Sequence, residues 1–341
     1  MIAPRVSVLL PYRDSAATIA SAIESVLADG LVDLEILAID DGSRDHGPAL
    51  VAQIAARDPR VRPLATGGVG IARALAAGLA STHAPYVARM DGDDLSLPGR
   101  LAKSIALLEA SPILGAVGTH VEAFSDLSDL SEGVVGEGME RYVAWLNSLV
   151  TPEDHARDLF VEAPLCHPSV TLRRSALDRV GGYRDPPWPE DYDLWLRLDA
   201  HGFGLAKVPE ILLRWRHHAG RATFTDPRYA LAQHDAAKGH YLAPKLLARG
   251  RPIAVWGAGK TGKRIGRALA RNGARAESYI DIDPLKIGRL AQGVPVGSPT
   301  SLTPGQSTIV VAVGARGARA RVRARLDAAG FQEGLDYLCA S

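Results

Sequence analysis

Cysteine is nearly missing from this chain of 341 residues, which holds only Cys166 and Cys339. Their separation gives no metal-ligand spacing, and both are expected to stay reduced. Long apolar runs are missing too: none approaches the roughly 18 residues a helix needs to cross a bilayer. Met1 leads straight into the first expected strand, with no signal-peptide pattern. A cytoplasmic protein is therefore expected. Nor is there an excess of one charge sign, since the formal net charge is +1, which argues against bulk nucleic-acid binding. Arg316, Arg319, Arg321, Arg323 and Arg325 form the main basic stretch and could meet anionic lipid or an acidic partner. Their spread around a helix favours a solvated surface instead. At 47% hydrophobic residues the chain can bury two cores.

Against this plain background Asp91-Gly92-Asp93-Asp94 stands out, directly behind the apolar run Tyr86-Val87-Ala88-Arg89-Met90. That run reads as a buried strand, and a strand end is a rigid place to hold clustered charge. Carboxylates this close repel one another and are costly to desolvate, so a cation is the natural neutraliser. A hard divalent ion, Mg²⁺ or Mn²⁺, suits oxygen donors and completes its shell with substrate phosphates. An Asp-rich turn without chemistry is the plainer alternative.

The surroundings favour the site. Val6-Ser7-Val8-Leu9-Leu10 ends in Pro11, helical spacing follows from Thr18 to Ala28, and Leu34 to Ile39 ends in Asp40-Asp41-Gly42-Ser43. A short run at Val61 to Leu64, the Gly67-Gly68-Val69-Gly70 turn, a helix to Ala80 and the strand before Asp91 continue the alternation. This β-α-β pattern predicts an α/β fold with a mostly parallel sheet. Ligands of such sheets sit beyond the carboxyl ends of the strands, where Pro11, Asp41 and Asp91 all fall.

Together these residues resemble the family 2 glycosyltransferases of the GT-A fold. The matching pieces are Val6 to Pro11, Ile39 to Ser43, Met90 to Asp94 with Pro98 and Arg100-Leu101, and Pro189-Glu190-Asp191-Tyr192-Asp193-Leu194-Trp195 through Leu198. The likeness covers about two-thirds of the chain, and its ordered motifs are more specific together than any one alone. It implies that Pro11 and the backbone after it, with Tyr12 and Asp14, line the nucleotide pocket. In this stretch Tyr12-Arg13-Asp14 departs from the aromatic-Asn pair of many relatives. It implies further that Asp41 contacts the base, most often uracil, and that Asp93 is the direct metal ligand. Asp91 would reach the ribose or a metal-bound water, and Asp94 would be the lesser ligand. Arg73 could neutralise phosphate charge, or lie on the surface as helix arginines commonly do.

Leu194, Trp195 and Leu198 recur at helical spacing and anchor a helix whose first residues are Glu190 and Asp191. A helix N-terminus favours an ionised carboxylate, the form a general base needs. The resemblance implies that Asp191 deprotonates the acceptor hydroxyl, with Glu190 beside it at the substrate. It also implies a hexosyl-type transfer from a nucleotide-sugar donor, UDP favoured, to a glycan or other hydroxyl acceptor by one inverting displacement. Ser125 to Cys166, with Ser-Asp repeats and Gly133, Gly136 and Gly138, lies where an acceptor-binding insertion would sit. His167 next to Pro168 reads as structural more readily than catalytic. Leu213 to His218 resembles the Arg-His segment that closes over the diphosphate in many relatives. Trp215 fits the core better than a sugar platform, and of His217 and His218 only one can face the metal, since neighbours on a strand point oppositely.

The chain then changes character. The expected division is a transferase domain at 1–225, a helical connection at 226–249 and a small Rossmann-like domain at 250–341. Pro252 to Trp256 reads as a strand, Gly257-Ala258-Gly259-Lys260-Thr261-Gly262 as a Gly-x-Gly-x-x-Gly turn, and Glu277 to Ile280 as a strand ending in Asp281. Gly257, Gly259, Gly262 and Asp281 thus mark a second ligand site, or glycines that simply permit a tight turn. An ATPase loop is excluded, because Arg264 stands where Ser or Thr should follow Lys263. Two rival functions remain: a dinucleotide-binding oxidoreductase or sensor working through this domain, and an inactive sugar-nucleotide binding protein.

Overall fold

The computed structural model describes residues 3–31, 33–125, 136–218 and 220–341. The Ser-Asp repeats and Gly133, assigned above to an acceptor insertion, lie outside them. The chain divides into two compact units, the first comprising Met1–Ala156, Pro164–Pro186 and Glu190–Asp226, the second Arg157–Ala163, Pro187–Pro189 and Pro227–Ser341.

In the first unit β1 (Val6–Tyr12), α1 (Ile19–Leu27), β2 (Leu34–Asp40), α2 (Gly47–Arg57), β3 (Val61–Ala65), α3 (Ile71–Ala80) and β4 (Tyr86–Arg89) alternate. There follow β5 (Leu95–Ser96), α4 (Arg100–Ala110), β6 (Leu114–Phe124), α5 (Glu137–Ser148), α6 (Pro152–Asp158), β7 (Thr171–Arg173), α7 (Arg174–Arg179), α8 (Glu190–Ala200), β8 (Gly204–Arg216) and α9 (Ala222–Thr225). The sheet runs β3-β2-β1-β4-β7-β6-β8-β5. Its first four strands are parallel, as the alternating pattern predicts, and every residue of β1 is buried, as expected for a strand covered on both faces. The rest of the sheet is mixed: β7 is antiparallel to β4 and β6, while β6 and β8 pair in parallel. Those pairings join residues far apart in sequence, and no local signal announces them.

This topology positions the acids. Asp91 to Asp94 span the link between β4 and β5, and β5 pairs with the end of β8, Leu95 opposite Arg214 and Ser96 opposite Leu213. The acid loop is therefore held against the segment after β8. Gly92 is required there, because a Cβ would lie 2.8 Å from Cβ of Tyr12. Thr18 Oγ1 donates to Gly92 O at 2.8 Å and fixes the same turn.

In the second unit α10 (Leu231–Leu247), β9 (Ile253–Trp256), α11 (Lys260–Arg271), β10 (Ser278–Ile280), β11 (Leu290–Ala291), β12 (Val294–Gly297), β13 (Thr308–Val311), α12 (Ala318–Ala328) and β14 (Tyr337–Cys339) build a sheet ordered β11-β12-β10-β9-β13-β14. All its pairings are parallel except that of β11 with β12. Two short segments from earlier in the chain pack here. Lys238 Nζ, buried on α10, donates to Val161 O at 2.7 Å and Ala340 O at 3.2 Å. Trp188 packs tilted against His240 and edge-on against Tyr241, with ring centroids 5.2 and 6.4 Å apart. Of the arginines around α12, Arg323 is not a solvated surface group: it pairs with Asp158 and, at 2.8 Å, with Glu333. Among the described residues no helix is long and apolar enough to cross a membrane.

Candidate functional site

Asp91, Asp93 and Asp94 each turn a carboxylate oxygen toward the others, all within 4.8 Å, which makes a three-oxygen cluster that could hold a metal ion. Asp91 Oδ1 is paired at 2.6 Å with Nη2 of Arg89, a side chain only 1% exposed. Asp93 Oδ2 lies 2.9 Å from Nε2 of His218, and its backbone carbonyl accepts from Arg216 Nε at 2.6 Å. Asp94 is the most deeply buried of the three. Its Oδ1 accepts from the Arg216 N–H at 2.7 Å, and its Oδ2 has no hydrogen-bond partner among the described residues.

Electrostatics separate the members. Burial pushes Asp94 well above the usual carboxylate range, and the charges of Asp91 and Asp93 push the same way. Burial also pushes Asp93 upward, but the hydrogen bond and charge of His218, with Arg221, outweigh it and leave Asp93 below its ordinary value. Three acids with a buried unpartnered oxygen form the hard donor set that suits Mg²⁺ or Mn²⁺. His218 is the histidine brought to Asp93. His217 instead meets Phe224 edge-on at 5.5 Å; both histidines lie just past the end of β8, not on the strand expected for them. Trp215 is buried, with the Arg221 guanidinium 4.2 Å over its ring.

Asp41 sits at the end of β2, and its carboxylate gathers the glycine-rich turn. Oδ1 accepts from Val69 N at 2.7 Å and Thr66 Oγ1 at 2.8 Å, and Oδ2 from Gly70 N at 2.9 Å. Pro11 and Tyr12 are buried at the end of β1. Asp14, with φ near 50°, accepts from Arg44 N at 2.6 Å. Arg73, exposed on α3, pairs with Asp185 at 2.8 Å.

Glu190 and Asp191 open α8, which Leu194, Trp195 and Leu198 anchor in the core. A buried pair of Asp193 with Arg197 at 2.7 Å fixes it further. Asp191 Oδ1 accepts from Tyr192 N at 2.7 Å. The helix N-terminus alone would keep Asp191 ionised. Burial, aided by the charge of Glu190, outweighs it and raises Asp191 to about 8. Beside it, His167 is buried with Nδ1 3.8 Å from Glu190 Oε1, and its ring meets Tyr183 and Trp195 at 5.8 and 5.7 Å. Burial drives His167 well below its usual value, so it is neutral.

Sequence reasoning gave no role to Arg89 or Arg221, and quoted Arg100 only as part of a motif. A charged residue inside an otherwise apolar strand was the available signal for Arg89, since arginine is almost never fully buried without partners. Arg100, fully buried, donates from Nη1 to the carbonyls of Arg89 and Pro168, both at 3.2 Å, and from Nε to Ser96 Oγ at 2.7 Å.

In the second unit the turn from Gly257 to Gly262 leads into α11 with Gly259 at its cap. Gly262 is dictated by packing, because a Cβ there would lie 1.7 Å from Gly257 O. Both Asp281 oxygens are engaged within the unit: Oδ2 accepts from Ala258 N and Lys286 Nζ, each at 3.0 Å, and Oδ1 from Asp283 N at 3.0 Å. Since a backbone oxygen cannot step aside, Gly262→Ala is expected to cost at least about 1–3 kcal/mol, read as an earlier calorimetric transition; an unchanged transition would show that the turn can open.

An α/β sheet with an acid loop beyond its strand ends and a carboxylate pair opening a nearby helix is the arrangement of a GT-A glycosyltransferase. The family model "Glycosyl transferase family 2" matches residues 7–181. Glycosyltransferase EpsE of Bacillus subtilis strain 168 is 32% identical over 230 residues, spanning 65% of this chain and 77% of that protein. The chain belongs to family 2 of the glycosyltransferases. Among solved structures, Staphylococcus aureus TarS 1-349 in complex with UDP-GlcNAc matches with TM-score 0.56 at 12% identity, over 80% of this chain and 74% of that one. The mannosyltransferase PcManGT of Pyrobaculum calidifontis, in complex with GDP-Man and Mn²⁺, matches with TM-score 0.50 at 18% identity, over 79% and 70%. Both show the fold.

Proposed function

We propose that this glycosyltransferase moves a hexosyl unit from a UDP-sugar to a hydroxyl of a glycan or cell-surface polysaccharide, with inversion and with Mn²⁺ or Mg²⁺ as cofactor. The observation that carries the reading is the cluster of Asp91, Asp93 and Asp94 oxygens within 4.8 Å, in a fold whose solved examples hold nucleotide sugars. Asp93 is the ligand proposed first, with Asp94 behind it and Asp91 serving the ribose or a bound water. When bound, the cation would neutralise charge on the diphosphate leaving group.

The chain's own groups supply the rest. Arg216 and Arg221 add positive charge beside the acid loop, where the leaving group's charge develops, and His218 lies against Asp93. Pro11, Tyr12, Asp14 and Asp41 serve the nucleoside end, Asp41 in part by shaping the loop from Thr66 to Gly70. Arg73 would turn to the diphosphate by leaving Asp185, and a surface pair of that kind costs only about 0.2–1 kcal/mol to break. Glu190 contacts the substrate, and Asp191 takes the acceptor proton as the hydroxyl attacks from the face opposite the leaving group. One displacement inverts the anomeric carbon, whereas retention through a covalent intermediate needs a second nucleophile stage.

The test is thermal stabilisation by UDP-glucose, UDP-GlcNAc, GDP-mannose and NAD, with and without Mn²⁺, followed by donor hydrolysis. A ligand at a hundred times its Kd stabilises by about 2.7 kcal/mol, a shift of several degrees. A Mn²⁺-dependent shift with a UDP-sugar and release of UDP is expected. Stabilisation by NAD alone would favour the oxidoreductase or sensor, and binding without turnover the inactive protein. Asp93→Ala is expected to abolish the Mn²⁺-dependent part of UDP binding by calorimetry while the fold persists. Unchanged affinity would move the assignment to Asp94.

A further inference from the structure

We propose that Arg89 is a positioning residue for the base, joining the acid loop to the carboxylates that open α8 through one buried guanidinium. This rests on the reading of Asp191 as the base. Arg89 ends β4 and Asp91 follows two residues on in the acid loop, their side chains paired at 2.6 Å. The Arg89 N–H donates to Val170 O at 2.8 Å, and Arg100 ties the Arg89 carbonyl to that of Pro168. The backbone is thereby pinned beside the turn that carries His167.

The side chain cannot be explained by Asp91 alone. Nη2 takes Asp91, whereas Nε and Nη1 are buried without a hydrogen-bond partner among the described residues. A cation this deeply buried is tolerated only when opposite charge surrounds it. That charge is at hand: Asp91 and Glu190 act on Arg89, Glu190 is itself only 2% exposed, and Arg89 acts in turn on Asp191 and on neutral His167. Arginine suits the task because its planar fork has five N–H donors, enough to serve carboxylates on two sides. A lysine would keep the charge and lose the fork.

Asp191 is the group whose ionisation Arg89 would assist. The groups acting on it are Glu190 on its own helix and Arg89 from β4, with the Tyr192 N–H donating to it, while the phenol of Tyr183, in the segment before α8, is kept neutral by burial. Asp193, further along α8, is paired with Arg197. When Asp191 gives up its proton, Asp91, Glu190 and Asp191 all carry charge, and Arg89 is a buried cation that offsets them. The arrangement also links donor to base: Asp91 serves the nucleotide side, and the guanidinium it holds steadies the acceptor side.

The experiment compares Arg89→Lys and Arg89→Met with the wild type, using the nucleotide sugar that gives the largest thermal shift, and follows donor turnover against pH at saturating donor. In Arg89→Met the pH at which turnover rises should move up by about one unit or more, the usual effect of removing a nearby opposite charge. Arg89→Lys should keep that pH near the wild-type value while kcat falls. An unmoved pH profile in Arg89→Met, with a change confined to the donor KM, would overturn the proposal and leave Arg89 to Asp91 alone. If Arg89→Met does not fold, Arg89→Lys decides: unaltered kcat overturns the proposal. Asp191→Asn is assayed in parallel. Retained turnover there would sink the base reading itself, whereas an inactive Asp191→Asn beside an unmoved Arg89→Met profile sinks only the role given to Arg89.

Discussion

Asp191→Asn is expected to bind the nucleotide as the wild type does and to lose transfer by about 10²- to 10⁴-fold, the usual contribution of a general base. The amide keeps the shape of the carboxylate and its acceptance from Tyr192 N, but cannot take a proton. The pH dependence sharpens the test. With Asp191 raised to about 8 by burial and by Glu190, most of the free protein carries the protonated, inactive form at neutral pH. Donor turnover per unit enzyme should therefore climb with pH and level off above about 8.

Stability should move the other way. A carboxyl whose folded value is raised holds its proton more tightly in the folded state, so its contribution is fully present below the unfolded value near pH 4. That contribution is lost as pH rises through about 8. Asp191→Asn should thus melt above the wild type at alkaline pH and close to it in acid. A variant that transfers sugar at a rate near wild type would end the base assignment, and a flat pH profile in the wild type would place the limiting ionisation elsewhere.

Where the site was legible in the sequence, the information was local. Asp41, Asp91, Asp93 and Asp191 each follow a strand or open a helix, and a short window of residues shows both the element and the acid. Strand alternation is the reason to expect only one of His217 and His218 at the loop, and His218 is the one beside Asp93, although β8 ends at Arg216 and both histidines lie beyond it. Arg89 reads as part of an apolar strand beside Asp91, its partner two residues on, because the other groups that act on it, Tyr183 and Glu190, lie about a hundred residues away. The ionisation of Asp191 illustrates the same limit: the helix N-terminus is visible in sequence and favours the charged form, but burial and Glu190 reverse it. Asp94 was ranked low on family pattern alone, since nothing local shows that its Oδ2 is buried without a partner.

Of the fold, the parallel half was legible from its alternating strands and helices, while the mixed half and the membership of the second unit were not. Segments 157–163 and 187–189 are short, lie inside the transferase portion of the chain, and yet cluster with residues 227–341. Their attachment depends on side chains that find partners far along the sequence, which no periodicity reports.

Ending the chain at Asp226 is therefore expected to give aggregated rather than active protein. Leu159, Phe160 and Val161 are buried in a unit whose remaining residues would be gone. Exposing side chains of this kind costs about 1.5–3 kcal/mol each, comparable in sum to the roughly 5–15 kcal/mol that holds a domain folded. The polar ties go as well: Val161 O would lose Lys238, and Asp158 would lose Arg323. Trp188 would lose His240 and Tyr241, and it stands two residues before Glu190 at the start of the base helix. Any truncated protein that stays in solution should then show donor turnover reduced more than nucleotide affinity, because Asp93 and Asp41 lie in elements that these segments do not carry. Size-exclusion chromatography and donor hydrolysis of the truncated chain check this directly. A monodisperse protein with wild-type turnover would show that both segments find sufficient cover within the first 226 residues, and that the second unit is dispensable for catalysis.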